Sequence, residues 1–181
     1  DRWRASGSGV GLRDADEGAA VAAVDLNEPA VTEVVDLIRG QGGRAVGVVA
    51  DVATAAGCER MVQVTESEFG RLDVLFNNAG VFLKGSVVDI PVADWDQVMN
   101  VNVKGVFFCT KHIIPIMRAA GGGSIINLCS LNGVNAHMFT MHYNTVKEGV
   151  RTLTRTAALP APCCGRRTLT PPLNTFARHR R

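Results

Sequence analysis

Four short apolar runs, each closed by a polar residue and separated by helical patterns, constrain this chain more than any other feature. Ala19 to Val24 ends in Asp25, Ala45 to Ala50 in Asp51, Leu72 to Phe76 in Asn77-Asn78-Ala79-Gly80, and Ser124 to Cys129 in Ser130. Runs of this kind suit strands buried on two faces. Between them, Glu28 to Arg39 carries Val31, Val34, Val35 and Ile38 at helical spacing, and Thr54 to Phe69 carries Cys58, Met61, Val62, Thr65 and Phe69 on one stripe. Gly40 and Gly70 are expected to stop those helices. Longer helices are expected over about Val98 to Arg118 and His142 to Ala158. In the first of these, Met99, Phe107, Ile113 and Met117 are core candidates, and Pro115 is expected to kink it or end a turn. Strands alternating with such helices imply an α/β architecture, a parallel sheet with helices on both faces, where ligands bind at the carboxyl ends of the strands.

With 181 residues, 46% apolar and 20% charged, the chain suits one globular domain, expected over residues 1–159. Residues 160–181 hold five Arg, no acid and no period, and read as an irregular basic tail. Residues 1–147 carry twelve Lys/Arg against sixteen Asp/Glu, net −4, whereas 148–181 carry seven against one, net +6. The basicity therefore belongs to one end, and no nucleic-acid partner is expected. Apolar runs such as Val106 to Cys109 fall short of the roughly 18 residues of a membrane span, and no targeting pattern is read, so a cytoplasmic location is expected. Cys58, Cys109, Cys129, Cys163 and Cys164 are odd in number and scattered, unlike a disulfide framework. His112, His137, His142 and His179 show no ligand spacing; they are expected at the surface or partly buried, with no metal site. Cys129 is expected to pack as a small apolar residue.

Three constellations carry chemistry. Tyr143-x-x-x-Lys147 lies in a helical segment, thirteen residues after Ser130 at a strand end. Residues i and i+4 share a face about 6 Å apart along the axis, so the ammonium can sit beside the phenol. A nearby cation favours the phenolate and would lower the tyrosine pKa, which makes Tyr143 a usable general acid and base. Ser130 can hold a carbonyl or alkoxide oxygen against it. Taken alone, the pair also fits an exposed helix face. Asn77-Asn78-Ala79-Gly80 allows a flat ligand near the backbone while an amide bonds neighbouring strands, and alone it also fits a turn. Ser6-Gly7-Ser8-Gly9-Val10-Gly11, with the later Asp25, suits a pyrophosphate at a helix N-terminus and a ribose hydroxyl on the carboxylate; alone it also fits a linker.

In this order, from about Gly7 to Ala158, these residues resemble the short-chain dehydrogenase/reductase family. The glycine segment, Asp25, Asp51-Val52, Asn77-Asn78-Ala79-Gly80, Asn102 in Val101-Asn102-Val103-Lys104-Gly105, Ser130 and Tyr143-x-x-x-Lys147 all fall at the family's intervals. The resemblance implies a Rossmann-like doubly wound parallel sheet and a nicotinamide-dependent oxidoreductase acting on a small-molecule secondary alcohol or ketone. It assigns Asn102, Ser130, Tyr143 and Lys147 to catalysis. Tyr143 would exchange the proton, Lys147 lower its pKa and bind the nicotinamide ribose, Ser130 position the substrate oxygen, and Asn102 hold a relay water. Ser8, Gly9, Val10, Asp25, Leu26, Asp51, Val52, Asn78, Ala79, Gly80 and Val101 would line the cofactor together with Tyr143 and Lys147. Asp25 would repel a 2′-phosphate, which favours NAD over NADP. Family members commonly pair through helices matching Val98 to Arg118 and His142 to Ala158, so the resemblance implies a homodimer or homotetramer.

The ends depart from the family pattern. Only Asp1-Arg2-Trp3-Arg4-Ala5 precede the glycines, where the family has its first strand, and the family's leading Thr-Gly falls on Arg4 and Ala5. The helix after Gly11 is expected to be about one turn short. After Ala158 the Pro/Cys/Arg tail replaces the family's next strand, its Pro-Gly turn and its substrate cover. An incomplete sheet lacking its first and C-terminal strands is therefore expected, as from a truncated or frame-shifted reading of a longer gene. The alternative function is a catalytically silent dinucleotide-binding or interaction module.

Overall fold

The computed structural model describes residues 6–159; the basic tail 160–181 and Arg4-Ala5 lie outside the described residues. The chain divides into two units, Asp1–Leu72 and Asp73–Arg181, each considered by itself.

In the first unit, α1 (Ser6–Asp16) is followed by β1 (Ala20–Asp25), α2 (Glu28–Gly40), β2 (Arg44–Val49) and α3 (Ala55–Phe69). β1 and β2 pair in parallel, in register from Ala20 with Arg44 to Asp25 with Val49, so α2 is the crossover that parallel pairing requires. Asn27 starts α2: its side chain accepts the Ala30 N–H at 3.2 Å, and Pro29 occupies the first turn, where its missing donor costs nothing. Val31, Val35 and Ile38 face the strands and are buried. The contact is close at Gly47, where a Cβ would stand 2.6 Å from Val31 Cγ1. Val35, Ile38 and Ala45 form a core joined by Leu12 and Ala15 of α1 and by Val21, Ala23 and Val34. Each fully buried aliphatic side chain contributes about 1.5–3 kcal/mol. Thr54 caps α3 by accepting from Gly57 N at 3.0 Å, and Gly70 closes it at φ 74, as expected.

Three expectations for this unit are corrected. The glycine segment is not a loop before a helix but the first two turns of α1, which therefore begins at Ser6 and is eleven residues long. Glycines place no side chain against a helical turn, so the segment winds with Leu12 and Ala15, whose packing holds it. The left-handed residue after α2 is Gly42, at φ 84, while Gly40 completes the helix. β1 is half-buried and β2 buries Ala45 and Val48 but exposes Val49, rather than both being buried on two faces, because among the described residues each is paired along one edge only.

In the second unit, β3 (Val74–Asn77) leads through α4 (Val92–Met99), a π-helical stretch Asn100–Lys104 and α5 (Gly105–Ala119) to β4 (Ser124–Asn127), and then to α6 (Met141–Ala157). β3 and β4 pair in parallel, Val74 with Ser124 through Asn77 with Asn127. The described strands thus form two parallel pairs, one in each unit. The expected helix from Val98 begins earlier, at Val92 after Pro91, and carries a π turn. That wider turn shifts the buried stripe to Val98, Asn102, Val106, Cys109, Ile113 and Met117. Phe107 falls one residue out of phase and is 47% exposed, against its expected place in the core, and Met99 is half-buried. α5 runs on through Pro115, which is exposed together with Lys111; the carbonyl of Lys111 that the proline leaves without a donor lies on the wet face. α6 buries His142, Val146, Lys147, Val150 and Thr154 along one face. Among the described residues no helix is long and apolar enough to cross a membrane, and no cluster of metal-ligating side chains occurs.

Two glycine substitutions should act with opposite sign. A Cβ at Gly57 would stand 2.0 Å from the Asp51 carbonyl oxygen, so Gly57→Ala is expected to cost about 1–3 kcal/mol. Gly40 meets nothing within 4 Å at the end of α2, and Gly40→Ala is expected to stabilise by about 0.5–1 kcal/mol. Urea midpoints measure both, and equal midpoints would refute the packing described for Gly57.

Candidate active site

In each unit some of the expected site residues lie at or follow the carboxyl ends of parallel strands, Asp25, Leu26, Asp51 and Val52 in the first and Asn78, Ala79, Gly80 and Ser130 in the second, while the others lie on helices. Asp25 ends β1, exposed; its Oδ1 accepts the Asn27 N–H at 3.0 Å, leaving the rest of the carboxylate to solvent. Leu26 beside it is 65% exposed. Asp51 follows β2, half-buried, its Oδ1 accepting from Ala53 N at 2.9 Å, and the Val52 carbonyl accepts from the Cys58 thiol at 3.4 Å. The parallel register brings Asp25 and Asp51 to the same end of the strand pair. Gly9, exposed, and Val10, half-buried, lie in α1 with Ser8, whose side chain is outside the described residues.

In the second unit, Asn77 Nδ2 donates to Asn127 Oδ1 across the strand pair at 2.8 Å, and Asn127 Nδ2 donates to Thr154 Oγ1 on α6 at 2.8 Å. The expectation that an amide of this motif joins neighbouring strands is met by Asn77. Asn78 is half-buried, and Ala79 and Gly80 are exposed. Asn102 is buried in the π-helical stretch beside half-buried Val101 and donates from Nδ2 to the carbonyls of Val81 and Val98, both at 3.0 Å. This ties the segment after β3 to the helix, while Asn102 Oδ1 is buried without a partner. A Cβ at Gly80 would stand 2.7 Å from that oxygen.

Ser130, Tyr143 and Lys147 converge because α6 packs on the 3₁₀ turn Leu131–Gly133 that follows β4. A Cβ at Gly133 would lie 2.8 Å from the Lys147 carbonyl carbon, so only glycine admits this approach. The Cys129 thiol donates to the Lys147 carbonyl at 3.3 Å, and Arg151 donates to the Gly133 carbonyl at 2.7 Å. Cys129 thus packs as expected, with a weak bond added. Lys147 is buried; its Nζ donates to the Leu128 carbonyl at 2.9 Å and stands 5.5 Å from the centroid of the Tyr143 ring. The Phe82 ring meets Tyr143 edge-on at 4.8 Å. His142 is fully buried, not partly, because its Nε2 reaches the Leu83 carbonyl at 3.0 Å.

The electrostatics differ from expectation. Burial pushes the Tyr143 phenol above its ordinary value of 10.0; a hydrogen bond with Ser130 pulls it down, and the charge of a Cys129 thiolate would push it up. Burial also lowers Lys147, opposed by Cys129. The amine is spent on a carbonyl and on the ring face rather than on the phenol oxygen, so its predicted lowering of the tyrosine pKa does not dominate here.

Sequence reasoning missed a polar relay beside Ser130. Ser130 caps the 3₁₀ turn Leu131–Gly133: its Oγ accepts the Asn132 N–H at 3.2 Å and lies 3.3 Å from Asn132 Oδ1. Asn132 Nδ2 donates to Asn144 Oδ1 at 2.8 Å, and Asn144 Nδ2 to the His137 carbonyl at 3.1 Å. The available signal was an asparagine two residues after a strand-end serine, a local capping pattern.

Comparison with known proteins identifies the family. Residues 6–162 match the family described as short chain dehydrogenase. Over 158 residues the chain is 38% identical to the (2S)-[(R)-hydroxy(phenyl)methyl]succinyl-CoA dehydrogenase subunit BbsD of Thauera aromatica, covering 85% of this chain and 63% of that protein. Cyclohexanol dehydrogenase of Acinetobacter sp. (strain SE19) is 35% identical over 159 residues, with 85% and 63% covered. A 7α-hydroxysteroid dehydrogenase complexed with NADH and 7-oxo glycochenodeoxycholic acid aligns at TM-score 0.81 and 29% identity, over 84% of this chain and 59% of that one. The chain thus spans less than two thirds of the length of these relatives. The family match, the relatives and the parallel α/β units together establish that the chain belongs to the short-chain dehydrogenase/reductase family.

Proposed function

We propose that the chain binds NAD(H) and interconverts a small secondary alcohol and its ketone, with Tyr143 as the proton-transfer group. The observation that carries this reading is the convergence of Ser130, Tyr143 and Lys147 at the end of β4 and on α6. The residues present fit a dinucleotide. Lys147 is a buried ammonium with three N–H groups and one acceptor among the described residues, which leaves donors for ribose hydroxyls. In the first unit, considered by itself, Asp25 offers an exposed carboxylate at a strand tip, a group suited to accept from ribose hydroxyls. When bound, the nicotinamide supplies hydride transfer to and from the substrate carbon.

Tyr143 gives its proton to the carbonyl oxygen during reduction and takes it back during oxidation. Ser130 donates a hydrogen bond to the same oxygen and holds it near the phenol. Asn102 fixes the Val81 carbonyl against the helix, which steadies the segment where Ala79 and Gly80 would let a flat ring approach. Phe82, half exposed and set on the Tyr143 ring, gives an apolar wall suited to a hydrocarbon substrate such as that in the name of the cyclohexanol dehydrogenase. Because burial keeps the phenol protonated at neutral pH, Tyr143 is poised as an acid, and ketone reduction is the direction it serves without prior ionisation.

Tyr143→Phe is expected to reduce cyclohexanone turnover with NADH by about 10²–10⁴-fold while NADH binding, followed by fluorescence, persists. Binding without turnover in the unaltered chain would favour the silent module instead. For cyclohexanol oxidation, which needs the phenolate, log kcat should climb about one unit per pH unit toward a pKa above 10.0, whereas reduction should stay level near neutrality; level oxidation would remove Tyr143 as the base. Asp25→Ser should weaken NAD binding about ten- to hundredfold relative to NADP, as loss of charge-assisted bonds implies, and an unchanged NAD/NADP ratio would remove Asp25 from the cofactor.

A further inference from the structure

Ser130 has one proton and two claimants. Its oxygen already accepts the Asn132 backbone N–H at 3.2 Å, so the hydroxyl proton is its remaining group to place. One acceptor is Asn132 Oδ1 at 3.3 Å, the long end of the range, and the other is the oxygen of Tyr143, with which Ser130 also interacts. The amide of Asn132 cannot turn its nitrogen toward Ser130 without cost, because Nδ2 is held by Asn144 Oδ1 at 2.8 Å and lies 3.3 Å from Thr140 Oγ1. Asn144 is oriented in turn, since its Nδ2 donates to the His137 carbonyl. The relay ends on a braced segment: Thr140 is buried, and Gly85 N donates to the carbonyl of Phe139 at 2.9 Å, with Phe139 held at φ 61. The two side-chain amides both donate away from Ser130, Asn132 Nδ2 to Asn144 Oδ1 and Asn144 Nδ2 to the His137 carbonyl, while Thr140 Oγ1 lies 3.0 Å from Asn144 Oδ1 as a second donor to it; each amide bond polarises the next and makes Asn132 Oδ1 a better acceptor.

We propose that Asn132 is a positioning residue, oriented by Asn144, whose side-chain oxygen competes with Tyr143 for the Ser130 proton. The capping of the 3₁₀ turn uses the Asn132 backbone and Ser130 Oγ, so the side chain of Asn132 is free of that duty. Its effect on turnover rests on the dehydrogenase reading, whereas its effect on the ionisation of Tyr143 does not. The competition sets how much of the Ser130 bond is available to a phenolate. Other groups acting on Tyr143 are Lys147 on α6 and Cys129 at the end of β4; the segment after β3 presents the uncharged Phe82, and buried His142 is turned to Leu83. The variants below leave all of them in place.

Tyr143 is the chain's one tyrosine, so its ionisation can be read directly from the tyrosinate absorbance of the full chain. Asn132→Ala releases the Ser130 proton to the phenolate and should lower the midpoint by about 0.5–1 pH unit, the worth of one hydrogen bond. Asn132→Asp, a stronger acceptor with a charge, should raise it. Asn144→Ala, which leaves Asn132 in place but unpins its amide, should lower it by less, and keeps the test decisive should Asn132→Ala not fold. In a Ser130→Ala background, Asn132→Ala should have no effect. Unmoved midpoints in the Asn132→Ala and Asn144→Ala chains, or an Asn132→Ala shift that survives Ser130→Ala, would overturn the proposal. Cyclohexanone reduction by the same chains should show the change in kcat rather than KM. If Tyr143→Phe retained turnover, the dehydrogenase reading would fail while the titration still decided the role of Asn132.

Discussion

The second unit depends on the approach of one helix to one strand end, and that approach depends on an absent side chain. With a Cβ at Gly133 2.8 Å from the Lys147 carbonyl carbon, α6 would have to retreat, and Tyr143 and Lys147 would retreat with it. Around this contact the chain places bonds that fix direction as well as distance. Cys129 and Arg151 each tie one side of the contact to the other, and Asn127 reaches Thr154 one turn beyond Val150. Polar groups so nearly buried are costly when unpaired, so these bonds favour one register of α6 over its neighbours.

The same physical account explains what was legible in the sequence. Alternating apolar runs and helical stripes reveal the strands and helices because burial is periodic, and Gly70 is legible because a left-handed closing residue favours glycine. The glycine segment misleads because its signal is permissive: glycine allows a loop and a helix alike, and the packing of Leu12 and Ala15 on the first unit's core decides between them. Phe107 misleads for a different reason, since the π turn after Met99 changes the phase of everything downstream and leaves no mark in composition. Of the site, the identities of Ser130, Tyr143 and Lys147 are legible through their spacing. The partner chosen by the amine is not, because it depends on the Leu128 carbonyl lying nearby in space, nineteen residues away in sequence. Asn132 and Asn144 are ordinary polar residues until the turn brings them together.

The two units reach polar strand tips by one rule. A parallel pair puts both carboxyl ends at the same edge, and helical crossovers return the chain to the opposite edge each time. The apolar stretch of each strand is claimed by packing, so polar residues gather at and just past its end: Asp25 and Asp51 in one unit, and Asn77 and Asn127 followed by Asn78 and Ser130 in the other. The first unit's tips supply carboxylate acceptors, whereas the second unit's supply amides, a hydroxyl and, from α6, a phenol and an ammonium.

Burial then acts on the charge of the two groups on α6. A phenol and an amine brought together out of water could settle as phenolate and ammonium, or each could give up charge. Desolvation acts on both toward the uncharged form, and it outweighs the Ser130 hydrogen bond at Tyr143. The ammonium answers by donating to the Leu128 carbonyl and lying over the ring face, contacts that stabilise its charge without drawing the proton from the phenol. On the proposed reading, in which Tyr143 releases a proton to a developing alkoxide, this balance serves it, since a phenol already ionised would have none to give. What remains adjustable is the Ser130 bond, which favours the phenolate, and its strength is set by whichever other acceptor lies within reach of that hydroxyl.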